Sequence, residues 1–259
     1  MTMLTIGWIA GLLLYLRRGR RAGLPEITMI DVAIAGFIGS IVGARLAHVI
    51  QLRDYYLRNP VEMFKIWQGG LVAYGGILLG VGAGVGLLLI RRVPVGKFVD
   101  AAAPALWLGL GFTRVGCFFN GCDFGRPSSL PWAVRFPLKS KAYIQQLQDG
   151  LLDSTAPMSL AVHPTQLYSS LLGFGLCAFL VWFDRGRAKR FDGATFLLGL
   201  MIYAVGRYIV EILRADVARG FIGPFSTSQA IGIPVFVVSA ALFLRGQGRS
   251  RRRAEAAPS

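Results

Sequence analysis

Long apolar runs constrain this chain more than any other feature. Seven can be read, at about 2–16, 29–50, 69–90, 101–120, 163–183, 193–213 and 226–244. A helix crosses the hydrocarbon core of a bilayer with roughly 20 apolar residues, so the runs predict an all-α polytopic membrane protein. Only 16% of the 259 residues are charged, against about 25% in a soluble domain, and the mean hydropathy is +0.55. The first run is the weakest. Some fourteen apolar residues rise only about 21 Å, short of a core of about 30 Å.

The formal charge of +15 is not spread evenly. Basic clusters "RRGRR" (17–21), "RR" (91–92), "RGRAKR" (185–190) and "RGQGRSRRR" (245–253) follow the first, third, fifth and seventh runs. All four fall on one side if every run crosses, which is the positive-inside pattern. The expectation is seven transmembrane helices with the N-terminus outside and the C-terminus cytoplasmic, and no cleaved signal peptide. Anionic lipid headgroups, not nucleic acid, are the matching counter-charge, because no aromatic-interleaved basic groove is visible.

Residues 1–245 read as a single integral-membrane domain. Within it, 123–162 is polar and turn-rich, an extracytoplasmic arm, and 51–68 mixes aromatics with charges like an interfacial helix. The tail 246–259 is basic, then rich in alanine and proline, and is expected to be disordered. No internal repeat is visible, so the signature of an inverted-repeat transporter is missing.

Ionisable residues within the runs narrow the function. Arg45, Arg114, Arg207 and Glu211 each cost on the order of 2.5–3.5 kcal/mol at a helix centre, so each calls for a partner or a polar cavity. Tyr203, Arg207, Glu211 and Arg214 share one helix face by spacing, with Arg207 and Glu211 one turn apart. They read either as an ion pair locking helices together or as a stripe lining a substrate cavity; the further arginines favour the stripe. An excess of intramembrane arginine over carboxylate suits an anionic ligand, since guanidinium matches phosphate and stays charged. A phospholipid is the abundant anion whose tail belongs there.

Other features leave alternatives open. Gly76, Gly80 and Gly84 recur four apart, as in close helix packing, while Gly69, Gly70, Gly75 and Gly76 also suit approach of backbone to a headgroup. In "HPTQLY", Pro164 suits a first helical turn, and Gln166 shares a face with His163. Cys117 and Cys122 are five apart, about 140° round a helix. They meet only if the segment breaks, which Gly116, Gly121 and Gly125 permit. A packing pair or a disulfide is the simpler reading. Two cysteines without nearby histidines argue against a metal, and no cofactor is expected. Cys177, mid-run, reads as packing.

"GARLAHVI" (43–50), "QGGLVAYGGILLG" (68–80), "TRVGCFFNGCDFGR" (113–126), "HPTQLY" (163–168) and "YAVGRYIVEILR" (203–214) together resemble the prolipoprotein diacylglyceryl transferase family, in order, over about residues 30–244. The resemblance implies a seven-span enzyme of the bacterial inner membrane. It moves the diacylglyceryl group of phosphatidylglycerol onto the lipobox cysteine thiol of a prolipoprotein, beside its signal peptide, and releases glycerol phosphate. It implies catalytic roles for Arg114, Arg207, Glu211 and His163. Substrate-binding roles follow for Arg45, Tyr74, Gly75, Gly76, Asn120, Gly125, Gln166, Tyr168, Tyr203 and Arg214.

The chain departs from the family pattern at several positions. Cys117 stands where the signature has its first asparagine and Cys122 where it has glutamate, with Asp123 one position further on. Tyr74 replaces the usual histidine of the third run, and Ser169 a frequent glutamate. A thiol role for Cys117 and Cys122 is therefore open, including transient carriage of the diacylglyceryl group. The alternatives to the transferase are a non-catalytic phospholipid-binding or transport paralogue and a membrane thiol-redox protein. Neither the acceptor protein nor the oligomeric state is legible.

Overall fold

The computed structural model describes residues 2–153, 155–185, 191–216 and 220–255. The basic cluster beyond Arg185 and the end of the tail, 256–259, lie outside the described residues. Helix α1 spans Thr2–Arg21, α2 Glu26–Gln51, α3 Arg53–Arg58, α4 Ala73–Ile90, α5 Val95–Asn120, α6 Lys141–Gln148, α7 Thr165–Arg185, α8 Ala194–Leu213 and α9 Thr227–Glu255. A two-residue hairpin pairs β1 (Phe221–Ile222) with β2 (Phe225–Ser226). Each apolar run has become a helix, and all but α5 and α9 begin and end within about five residues of the run. The tail expected to be disordered is helical as far as 255, because α9 continues past its apolar part into the basic stretch.

Among the described residues, six helices are long and apolar enough to cross a membrane: α2, α4, α5, α7, α8 and α9. Their surfaces are those of a protein solvated by lipid. Ile27, Leu78, Ile90, Leu171 and Trp182 all stand about 70–80% exposed, where a soluble monomer would bury such side chains or confine them to small patches. The chain is therefore a polytopic, all-α membrane protein. Helix α1 is outside the six, since its last turn carries Arg18, Arg20 and Arg21.

Contacts group the chain into two compact units, Leu16–Phe98 and Met1–Tyr15 with Val99–Ser259. In the smaller unit α2 and α4 pack through glycines. A Cβ on Gly39 would lie 2.8 Å from the Leu79 carbonyl oxygen, and one on Gly76 would lie 2.9 Å from that of Ser40. Gly75 faces the Gly43 carbonyl more closely still. Gly75 and Gly76 thus serve helix contact, the small-residue reading of the third run.

The stretch read as one interfacial helix is instead broken into α3 and two 3-10 turns, Pro60–Phe64 and Ile66–Gln68. Pro60 drives its predecessor out of the helical region, and Asn59 sits at φ −132°, ψ 65°. Arg45 organises the result. Its guanidinium donates to the carbonyls of Glu62 (2.6 Å), Met63 (2.9 Å), Gly69 (2.7 Å) and Gly70 (3.2 Å) and lies over the Tyr56 ring. Arg45 thereby braces this irregular backbone. Arg45→Ala should loosen 59–70, at roughly 0.5–1.5 kcal/mol for each hydrogen bond lost to these part-buried carbonyls. Limited proteolysis should then cut within that stretch and not in the parent.

In the larger unit, the first part of α1 lies on α5, with Gly7 against Phe112 and Gly11 against the Ala105 carbonyl. Trp107 and Ala103 of α5 pack with Leu176, Cys177 and Leu180 of α7. Cys177 is buried there, as expected of a packing residue. Tyr203 of α8 packs against this core, its ring 4.5 Å from that of Trp107. Residues 123–162 build a second small core from Phe124, Phe136, Ala142 and Val162. Helix α6 is capped by Ser140, whose hydroxyl accepts from the Tyr143 N–H.

Candidate active site

The site is organised by the way α5 ends. Gly121 takes φ +64°, and two backbone bonds close the turn: Gly121 N–H to the Phe118 carbonyl (3.1 Å) and Cys122 N–H to the Cys117 carbonyl (3.2 Å). This is a Schellman motif, with glycine in the left-handed position just past the helix. The motif brings its first and sixth residues together, and here both are cysteines. Neither is in a disulfide. The two sulfurs and a carboxylate oxygen of Asp123 all lie within 4.8 Å of one another. The neighbouring Cys117 thiol, with Asn120 helping, lowers the Cys122 thiol below its ordinary value, against burial and the charge of Asp123.

Past the turn, residues 122–126 run between two other segments. On one side Gln166 Nε2 donates to the Cys122 carbonyl (2.7 Å), Thr165 Oγ1 to that of Asp123 (2.6 Å), and Gly125 N–H to that of His163 (3.0 Å). On the other, Arg126 N–H donates to the Leu213 carbonyl (2.8 Å) and Ala215 N–H to that of Phe124 (3.1 Å). The fit leaves no room at Gly125, where a Cβ would lie 2.6 Å from that of His163 and 2.9 Å from the Leu213 oxygen. Gly125→Ala should cost about 1–3 kcal/mol by overpacking, read as a lowered Tm of the purified protein.

This threading holds Asp123, at φ +57°, between two arginines. Arg114 donates to one carboxylate oxygen (2.9 Å) and Arg214 to the other (2.5 Å). Arg214 also forks onto Asp216 at 2.6 and 2.8 Å and lies 3.8 Å from Glu211. Glu211 pairs with Arg207, which donates to Ser228 of α9 at 3.0 Å. The result is one chain of charge, Arg114–Asp123–Arg214–Glu211–Arg207, with Asp216 attached to it. Glu211 is 1% exposed, Asp216 4% and Arg214 7%. Ions so buried persist only when paired and hydrogen-bonded. Burial raises the Asp123 carboxyl, but Arg114 and Arg214 outweigh it and hold it below its ordinary value.

The network is not saturated. Arg114 Nε and Gln166 Oε1 are buried and have no hydrogen-bond partner among the described residues, one a donor and the other an acceptor. His163 and Tyr168 form a separate group: His163 Nδ1 is 3.4 Å from the Tyr168 hydroxyl, which accepts from Trp132 Nε1 at 2.8 Å.

Of the residues singled out in the sequence, the structure therefore joins Arg114, Arg207, Glu211 and Arg214. Cys117, Cys122 and Asn120 lie at the helix end beside them, while Gln166 and Gly125 hold the backbone. Tyr74 lies with Arg45, Gly75 and Gly76 in the smaller unit. Asp123 and Asp216 are the members that sequence reasoning missed. A carboxylate beside a helix-ending glycine, nine residues after an intramembrane arginine, was a usable signal for Asp123. Asp216 offers none, because two residues is not a helical pairing distance.

A family model described as prolipoprotein diacylglyceryl transferase matches residues 2–245. The chain is 34% identical over 244 residues to the phosphatidylglycerol–prolipoprotein diacylglyceryl transferase of Clostridium tetani, covering 93% of this chain and 90% of that protein. It is 33% identical over 242 residues to the protein of that name in Geobacter sulfurreducens, covering 91% and 85%. Against transferase 2 of Clostridium perfringens the identity is 32% over 236 residues, covering 91% and 85%.

Proposed function

The chain belongs to the prolipoprotein diacylglyceryl transferase family, and from that premise we infer that it is a transferase moving the diacylglyceryl group of phosphatidylglycerol to the lipobox cysteine thiol of a prolipoprotein. The thiolate attacks the glyceryl carbon that bears the phosphate ester. A C–S bond forms, the C–O bond breaks, and glycerol phosphate leaves with the bonding electrons.

The observation that carries the assignment of roles is the Arg114–Asp123–Arg214–Glu211–Arg207 network. Negative charge grows on the departing phosphate, and fixed guanidinium donors in a water-poor site stabilise it without reorganising. Arg114 and Arg207 receive the phosphate in this reading. Asp123 and Glu211 keep the guanidinium groups oriented, and Arg214 anchors the far side through Asp216. The same field favours the thiolate form of the acceptor, which is the nucleophile. His163, Gln166 and Tyr168 border the acceptor side, and Asn120 the helix end.

The proposed topology has seven crossings with α1 as the first, the N-terminus outside and the C-terminus cytoplasmic in the bacterial inner membrane. It is supported by the alternation of basic clusters. Residues 123–162 then form an extracytoplasmic arm on the single catalytic domain, where the signal-peptide region of the acceptor arrives.

Purified protein, phosphatidylglycerol labelled in its acyl chains and a lipobox peptide test the reaction. Label should pass to the peptide carrying cysteine and not to its serine counterpart. No transfer, under conditions in which the Clostridium tetani relative works, would sink the reading.

A further inference from the structure

The geometry points to Cys117, Cys122 and Asp123 as a binding site for a thiophilic divalent cation of the zinc class, with an open position for the acceptor thiol. The inference rests on the transfer reaction above and deepens it, giving this chain a device for making its nucleophile. Two cysteines without a nearby histidine argued against a metal in the sequence, but the fold adds Asp123 as a third donor, and the three donor atoms converge at the end of α5, mutually within 4.8 Å. Tetrahedral bonds of about 2.3 Å to sulfur hold donors about 3.7 Å apart, so the closing movement needed is about 1 Å. The Schellman turn at Gly121 fixes the backbone of both cysteines in advance.

Each donor has contacts that the cation must respect. The Cys122 sulfur lies 3.7 Å from the Cys117 carbonyl oxygen and 3.8 Å from Asp123 Oδ2. Oδ2 already accepts from Arg114 and Oδ1 from Arg214. A carboxylate oxygen has two lone pairs, so Oδ2 can keep its arginine and face the cation as well. Two thiolates, a carboxylate and a divalent cation sum to one negative charge, which the two guanidinium groups on Asp123 offset. Three protein ligands leave a fourth position free, the pattern of catalytic rather than structural zinc sites.

The chemistry fits the acceptor. Loading the site releases the protons of Cys117 and Cys122 to solvent. The lipobox thiol then takes the fourth position and loses its own proton to solvent, since a coordinated thiol is deprotonated outright. The bound thiolate attacks the glyceryl carbon as described, and the thioether product, a weaker ligand, departs. Cys117 and Cys122 act as ligands, not as carriers of the diacylglyceryl group. A carrier would itself become a thioether, whose carbon–sulfur bond is far harder to displace than a phosphate ester.

Co²⁺ added to the reduced, full-length protein in detergent is the direct test. One equivalent should bind with a thiolate-to-cobalt absorption band and protect both thiols from iodoacetamide. The cysteine lipobox peptide should shift that spectrum and the serine peptide should not. Cys117→Ser and Cys122→Ser should each weaken binding by more than about tenfold. Absence of the band and of protection in the parent protein overturns the proposal, as does formation of a Cys117–Cys122 disulfide in place of Co²⁺ uptake. Transfer at full rate by chelator-treated, metal-free protein overturns it too, while leaving the transfer reaction standing. A protein that binds Co²⁺ and responds to the cysteine peptide, yet transfers no label, keeps the site and removes the reaction.

Discussion

Arg114→Ala is expected to lower diacylglyceryl transfer by about 10²–10³-fold, the usual cost of removing one preorganised donor from a developing anion. The expectation follows from the position of the guanidinium. One nitrogen is fixed on Asp123 at 2.9 Å while Nε is buried and has no hydrogen-bond partner among the described residues. A donor held in place with a bond unmade is poised for a ligand oxygen. Arg114→Lys should recover only a small part of the loss, since an ammonium cannot hold Asp123 and a phosphate oxygen in one plane. Labelled-lipid transfer to the cysteine peptide reads both variants. A rise in KM alone, with kcat unchanged, would mean that Arg114 binds substrate and transition state equally and does not stabilise the leaving group.

The second large effect is expected at Asp123. Asp123→Ala leaves Arg114 and Arg214 facing each other without the carboxylate they share. Removing one partner of a buried ion pair costs roughly 3–5 kcal/mol. The side chain is 24% exposed, so the lower end of that range applies, and Tm in detergent should fall accordingly. Asp123→Asn keeps the shape and loses the charge, and should fall between parent and alanine. The pH dependence carries its own sign. A carboxyl held below its ordinary value contributes stability that is fully present above the unfolded value, about 3.9, and is lost as pH falls through the depressed one. In Asp123→Asn that acid-side component should be absent. An acid transition identical to that of the parent would show that the Arg114–Asp123–Arg214 link is not what holds the segment.

The sequence by itself determined the helices. Apolar length is a local property, and a backbone in lipid has to close its hydrogen bonds within each helix, so the runs at 29–50 and 193–213 became α2 and α8 with little adjustment. It also showed that Arg114, Arg207 and Glu211 required partners, because burying a charge is costly wherever it happens. Pro60 was visible too, and given its full weight it would have broken the interfacial helix in advance.

Only the tertiary structure decided which partner each charge received. Arg45 received the carbonyls of the broken backbone at 59–70. Tyr203 lies on the predicted stripe, and Trp107 of α5 packs against its ring. The two cysteines, 140° apart on an ideal helix, met because one glycine ended that helix in a left-handed turn. Asp123 reached Arg214, 91 residues away, because 122–126 threads between 162–166 and the end of α8. Helix formation depends on neighbours along the chain. Pairing of charges depends on which strangers the fold brings within about 3 Å, and that distance is set by packing.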